Sequence, residues 1–309
     1  MQFIELPGST YNRVAPEYIA EHIREMSNGR MNIEIYMAGE LVPNEEVMDA
    51  LRDGSFALAE IYPGYFAGKY PIGDLESFWP FCLENWIEVD SIYRIHGLLD
   101  YERDYWEEQG IRFMYTTYYP GPLMTLTKPV TSLDELRNMT IRAIGAKGQI
   151  LDIAGVPTTY VPYPEVYTAL ATGVVDGQVT GGIGEIYFDE RFHEVSPYLL
   201  LPPMQGAAAT PLYANLEAWN SLPSDLQRIM DVAMQDYAAY LAAVFEYEAV
   251  EAKVGIVKEG AEFVTLDDES VAELQAASVE WTAEMATKDA ALAGFIDVVN
   301  DYLTYLGRL

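Results

Sequence analysis

One structural phrase occurs twice in this chain and limits what it can fold into: a strand-like run, a turn, a helix stopped by glycine, and another strand. In the first occurrence Ala50-Leu51-Arg52-Asp53-Gly54 closes a short helix over residues 45–52 and leads to a strand over 56–61. In the second, Ala169-Leu170-Ala171-Thr172-Gly173 closes a helix over 164–171 and leads to a strand over 174–179. Glycine just beyond a helix end adopts the positive φ that terminates the last turn. Five matched residues alone arise by chance in any chain that alternates helices and strands. The strand, turn and helix ahead of each also correspond. The pair reads as weak internal pseudo-symmetry, two lobes with a β-α-β unit each.

The remaining segments keep the alternation of an α/β chain. Residues 3–6 read as a strand. Tyr18, Ile19, Ile23 and Met26 follow the helical period over 16–26, and Asn28-Gly29 stops that helix. Met31, Ile33 and Ile35 alternate with polar neighbours, as a half-buried strand does. Residues 140–144 and 158–161 read as strands on either side of a helix over 147–154. Leu222-Pro223-Ser224-Asp225 is a helix start, and the apolar period that follows predicts one helix over 224–258. At 1.5 Å per residue about 30 residues reach about 45 Å, enough to cross two lobes. A strand over 263–266 and an amphipathic helix over 291–306 end the chain. The division this implies is residues 1–119 with 207–250 in one lobe and 120–206 with 251–309 in the other.

Composition narrows the function. The 309 residues are half hydrophobic, which suffices for two cores. No run approaches the roughly 20 apolar residues of a membrane helix. Asp and Glu number 48 against 18 Lys and Arg, a formal net charge of −30. Such a surface repels nucleic acid and anionic lipid. It also repels anionic ligands, so a basic residue in a cleft is the more telling. The acidity suggests a salty habitat. Cys82 is the single cysteine, so neither an intrachain disulfide nor a Cys-rich metal site can form. Met1 sits directly before the first strand-like run, and we expect an export signal removed and a start methionine added.

Enzyme signatures do not emerge. His22, His96 and His193 lie in or beside predicted helices with carboxylates near, and read as solvated or structural. No helical zinc pattern, nucleophile elbow or Walker loop is present. Gly181-Gly182-Ile183-Gly184 follows a strand but lacks dinucleotide spacing and a following Lys-Ser/Thr, and reads as a crossing where backbone passes closely. With acids this abundant, carboxylate spacing carries no information about a catalytic dyad.

Three segments together resemble the TRAP transporter solute-binding family, the DctP family. The first runs over residues 16–61 and includes Ser27-Asn28-Gly29-Arg30, Gly39-Glu40-Leu41 and the Ala50–Gly54 turn. The second is Lys128-Pro129-Val130 through Leu136-Arg137-Asn138-Met139-Thr140-Ile141-Arg142. The third is Gly155-Val156-Pro157, Glu165-Val166-Tyr167-Thr168-Ala169-Leu170 and Gly173-Val174-Val175-Asp176-Gly177-Gln178. The likeness covers nearly the whole chain. Tyr62-Pro63-Gly64-Tyr65-Phe66-Ala67-Gly68-Lys69 looks closest to the branch that binds 2-oxoacids and other monocarboxylates. The resemblance implies a two-lobed periplasmic-binding-protein-like clamp, type II-like, with crossing strands and a long helix spanning both lobes. It implies a periplasmic receptor without catalysis or cofactor. The expected partners are a small organic acid ligand and the TRAP membrane permease subunits, with no nucleic acid and no direct membrane insertion, as monomer or homodimer.

In the family the arginine of the second segment, here Arg142, binds the ligand carboxylate. A guanidinium offers a planar donor fork that matches a carboxylate; an interlobe salt bridge is the other role such a residue can fill. Thr180 stands where a sialic-acid-like branch has a ligand-touching Asn, and can still give one hydrogen bond. Where that branch has a second arginine this chain has Gly121-Pro122, and one arginine suggests a monocarboxylate. Some members of the 2-oxoacid branch hold a metal with a Glu-Trp pair; Val179-Thr180 stand there, so no metal is expected. Tyr11 and Arg13, just after the first strand, occupy a place where the family touches ligand. Tyr62, Tyr65, Tyr118 and Tyr163 are pocket candidates, each joining apolar area to a hydroxyl. Glu60 ends a strand and could meet a polar ligand group or pair with Arg142 or Arg13. Gln205 completes the set. A ligand-sensing module on the same fold, or a small-acid enzyme with Glu60 as base, are the alternatives.

Overall fold

The computed structural model describes residues 1–3 and 8–309. Two sheets organise them. The first has the order β1-β2-β9-β3, with β1 Gln2–Phe3, β2 Leu58–Glu60, β3 Ile111–Pro120 and β9 Ala207–Asn215. The second has the order β10-β8-β4-β7-β5-β6. Its strands are β4 Met124–Leu126, β5 Ile141–Arg142, β6 Thr158–Thr159, β7 Gly177–Val179, β8 Tyr198–Leu201 and β10 Glu262–Thr265. The pairs β1/β2, β5/β6, β5/β7 and β8/β10 are parallel, whereas β3/β9 and β4/β8 are antiparallel. The strand expected over residues 3–6 lies mostly outside the described residues.

The repeated phrase has a structural counterpart. A 3-10 turn, Asn44–Glu46, leads into the helix Val47–Arg52 and β2. A second, Tyr163–Glu165, leads into Val166–Thr172 and β7. Gly54 and Gly173 close the two helices at φ 77° and 71°.

Two local expectations change. The first helix begins at Thr10, where the Ser9 hydroxyl accepts from the Asn12 N–H, passes through a π turn over Pro16–Glu21 and ends at Met26. Proline has no N–H to donate into the preceding turn, which accounts for the irregularity at Pro16. Among the described residues the run from Met31 to Ile35 belongs to no strand; Tyr36 just beyond it bridges to Gln2, and the alternation still turns Met31, Ile33 and Ile35 against the core.

The sheets are joined where β3 passes into β4 and β8 into β9. Gly121 N–H donates to Gly206 O at 3.1 Å, and a Cβ on Gly121 would fall 1.9 Å from the Gln205 carbonyl oxygen. No side chain fits there, so the absence of an arginine at this place has a steric cause. The long helix, Ser224–Lys258, has the expected limits. Its residues from Met230 to Phe245 enter the larger core; Ala249, Ala252 and Ile256 enter a second core with Ile183, Ile186 and Phe192. The helix Asp268–Lys288 packs on Ala146–Ile153, and the last helix, Ala290–Tyr305, lies against Leu98–Glu108 and Gly73–Glu76 beside the first sheet.

Candidate functional site

Arg142 ends β5, between β6 and β7. Adjacent strand residues face opposite ways, so Ile141 enters the core and Arg142 turns to the other face. There it borders a cavity shared with Tyr62, Tyr65, Lys147, Tyr163, Thr180, Glu185 and Thr210. The space left for centres of water-sized molecules is about 30 Å³, room for a compact ligand of a few non-hydrogen atoms rather than a sugar. Tyr62, Tyr65 and Thr210 come from the first sheet and its turns, the others from the second, so the cavity lies between the two.

The Arg142 side chain is 1% exposed. Its Nε donates to Val161 O at 3.1 Å, and its Nη2 is buried with no partner among the described residues. A buried charged donor left open is costly unless something supplies an acceptor.

Lys147, in the first turn of the helix Ala146–Ile153, is 2% exposed. Its Nζ donates to Tyr62 Oη at 2.8 Å and lies 4.6 Å from the centre of that ring. Glu185 opens a π turn, Glu185–Asp189, and its Oε2 accepts from Gly182 N–H at 2.7 Å. Burial pushes the Glu185 carboxyl up to about 8, opposed by that N–H and reinforced by Asp189, Glu190 and Glu248. Burial likewise raises Glu190 to about 7, against the Tyr163 hydroxyl that donates to it and the nearby Arg142. Burial disfavours the charged form of both acids, while Arg142 and Lys147 border the cavity with positive charge. It can bind an anion. Among the described residues that line it, no nucleophile, base and orienting group are brought together.

Of the residues singled out from sequence, Arg142, Thr180, Tyr62, Tyr65 and Tyr163 meet at this cavity and five lie elsewhere. Tyr11 packs edge-on against Phe245. Arg13, in the helix, pairs with Asp189 at 3.3 Å and Glu248 at 2.6 Å, while Thr10 N–H donates to Asp189 at 3.1 Å. Glu60 is enclosed and accepts from Thr117 Oγ1 at 2.5 Å and Tyr237 Oη at 3.2 Å; burial raises its carboxyl to about 8. Tyr118 Oη donates to Glu246 at 3.1 Å, and Gln205 Nε2 donates to Ser77 O at 2.6 Å. Apart from Gln205 Oε1, which is buried with no partner among the described residues, the named polar groups are taken up by the fold.

Lys147 and Glu185 escaped the sequence reading. The signal for Lys147 was a lysine two residues past glycine in a lysine-poor chain; Glu185 had none among so many acids. The glycine run matches its reading as a close crossing: Gly181 stands at φ 62°, and Gly184 faces Glu248 of the long helix. His193 is buried, with Nε2 3.0 Å from Glu259, which Arg191 also binds.

A family model described as DctP, bacterial extracellular solute-binding protein, family 7, matches residues 5–289. A monocarboxylate 2-oxoacid-binding periplasmic protein from Nostoc sp. is 28% identical over 290 residues, 92% of this chain and 78% of its own. A TRAP periplasmic solute-binding protein from Chromohalobacter salexigens, solved with (S)-(+)-2-amino-1-propanol, superposes with a TM-score of 0.90 at 22% identity, covering 100% of this chain and 96% of its own. One from Pseudoalteromonas atlantica, solved with sodium and pyruvate, also gives 0.90 at 22% identity, covering 99% and 93%. The two-lobed fold is shared.

Proposed function

We propose, from the premise that this chain belongs to the DctP family of bacterial extracellular solute-binding proteins, that it captures a small organic acid by its carboxylate and delivers it to the membrane subunits of a TRAP transporter. The family is one of receptors, not enzymes. Among the described residues no helix is long and apolar enough to cross a membrane. The observation that carries the reading is Arg142: buried in the cavity wall, with Nη2 still lacking an acceptor. A carboxylate supplies that acceptor in the geometry a guanidinium prefers. Thr180 and the tyrosines Tyr62, Tyr65 and Tyr163 shape the rest of the pocket. The 2-oxoacid ligand of the Nostoc relative and the pyruvate of the Pseudoalteromonas neighbour suit a cavity of this size.

That neighbour holds sodium with its pyruvate; the residues here do not fit a metal ion. Among the described residues Glu185 is the one carboxylate lining the cavity, its proton is held up by burial, and Arg142 and Lys147 already place positive charge there. We divide the lobes by the two sheets: residues 1–119 and 207–250 with the first, 120–206 and the chain from 251 with the second, except the last helix, which packs beside the first. The lobes would close on the ligand as a hinge.

The test is a thermal-shift and calorimetric screen of ligand-stripped protein against small organic acids, with Arg142→Ala alongside. A ligand of the native state raises Tm by mass action. We expect one acid class to do so, and the variant to lose at least about 100-fold in affinity, as when a buried charged partner is removed. Shifts that survive the substitution would reject Arg142 as the anchor.

A further inference from the structure

Arg142 accounts for one buried positive charge at the cavity; Lys147 is a second. An ammonium has three donors. One reaches Tyr62 Oη, and no other hydrogen bond and no carboxylate ion pair forms among the described residues. In a chain with 48 acids, a buried lysine without one stands out. The carboxylate that does line the cavity, Glu185, directs Oε2 to Gly182 N–H instead. Two like charges facing one small cavity repel unless an anion lies between them.

The placement of Lys147 is built. Gly145, at φ 62°, turns the chain from β5 into the helix, so that Lys147, five residues after Arg142, lines the same cavity. The positive φ at that turn is what calls for glycine; a Cβ there would meet Tyr62 Oη only at ordinary contact distance, 3.5 Å. Tyr62 comes from the opposite sheet, so the Lys147–Tyr62 bond forms across the cleft. The cavity is small, which sets any second acceptor on a ligand close to its carboxylate.

We propose that Lys147 is the site's built-in second cation: held by Tyr62, it binds an oxygen on the carbon next to the ligand carboxylate, selecting 2-oxo and 2-hydroxy acids without a metal ion. This rests on the reading that Arg142 takes the carboxylate. A bound cation would serve the same electrostatic purpose; here the chain supplies it as a side chain.

The experiment is calorimetry with acids matched in carbon skeleton: pyruvate and lactate against propionate, 2-oxobutyrate against butyrate, 2-oxoisovalerate against isovalerate. Each is run with EDTA and again with calcium chloride. The native protein should favour the oxygenated member at least about 10-fold in both buffers. Lys147→Met should weaken that member about 10- to 100-fold, the range for a charged hydrogen bond, and leave the plain acid within a few-fold. Tyr62→Phe should fall between, and serves alone if Lys147→Met does not fold, as judged by its ligand-free melting. Unchanged discrimination in the variants, or binding that appears only with calcium, overturns the proposal. Binding that survives Arg142→Ala, or no binding by either member of any pair, removes the carboxylate reading itself and the proposal with it.

Discussion

The first lobe and the cavity wall both bury ionisable groups, and they treat them in opposite ways. Around the first sheet, Glu76 accepts from Trp106 Nε1 and from Tyr213 Oη, the latter at 2.8 Å, and Glu102 accepts from Tyr93 Oη at 3.1 Å. Glu102 Oε2 has no donor among the described residues, and Glu76 is the charge that acts on it. Burial raises both, and the Glu76 charge raises Glu102 further, so a shared proton relieves their repulsion. Glu60 is enclosed likewise by Thr117 and Tyr237. In the wall, Arg142 keeps an open donor and Lys147 has a single hydroxyl. The first lobe gives each of these buried carboxyls at least one donor, whereas the wall leaves buried cationic donors short of acceptors.

The contrast breaks most readily at Glu76. Glu76→Leu strands the Trp106 and Tyr213 donors in a dry core, and we expect a loss of about 2–5 kcal/mol in denaturant unfolding. Acid affinity of the folded variant should stay within a few-fold. A loss below about 1 kcal/mol would show that the pair is not structural.

Glu60 sharpens it through pH. Its carboxyl holds its proton more tightly folded than unfolded, with a folded pKa of about 8 against an ordinary 4.5. Its contribution is therefore greatest at low pH and declines as pH rises between those values, by about 1.4 kcal/mol per unit for one such group. Unfolding free energies measured from pH 5 to 9 should fall, and Glu60→Gln should flatten the fall. A slope that the variant leaves unchanged would place the pH dependence in other groups.

The smallest effect belongs to Arg13, which joins the first helix to Asp189 beside the cavity without lining it. With 46% of its side chain exposed, the pair contributes modestly. Arg13→Ala should weaken acid binding up to about five-fold with selectivity intact. A change in which acid is preferred would return Arg13 to the site.

Legibility followed the range of the interactions. The long helix was read at both ends because its period and its start are local. The arginine at the end of β5 was reached through a local motif. β9 was not read as a strand: Ala207–Asn215 is buried at all nine positions, so no alternation marks it. Lys147 resembles a solvated helix-start lysine until Tyr62 closes over it from the other sheet. Tyr11 and Arg13 were expected at the ligand because they stand where the family touches it, just after the first strand, and the helix that begins at Thr10 places them elsewhere. Gly121 was read as a missing charge, and only the Gln205 carbonyl shows that no side chain could stand there.

The long helix has a thermodynamic consequence. One half of it completes the larger core and the other half completes the smaller. Neither core can melt without stripping a partner from a rod that the other still grips. A two-lobed chain of separate units would unfold in two steps. Here a shared helix ties the two losses into one cooperative transition, so damage in either lobe lowers the survival of both.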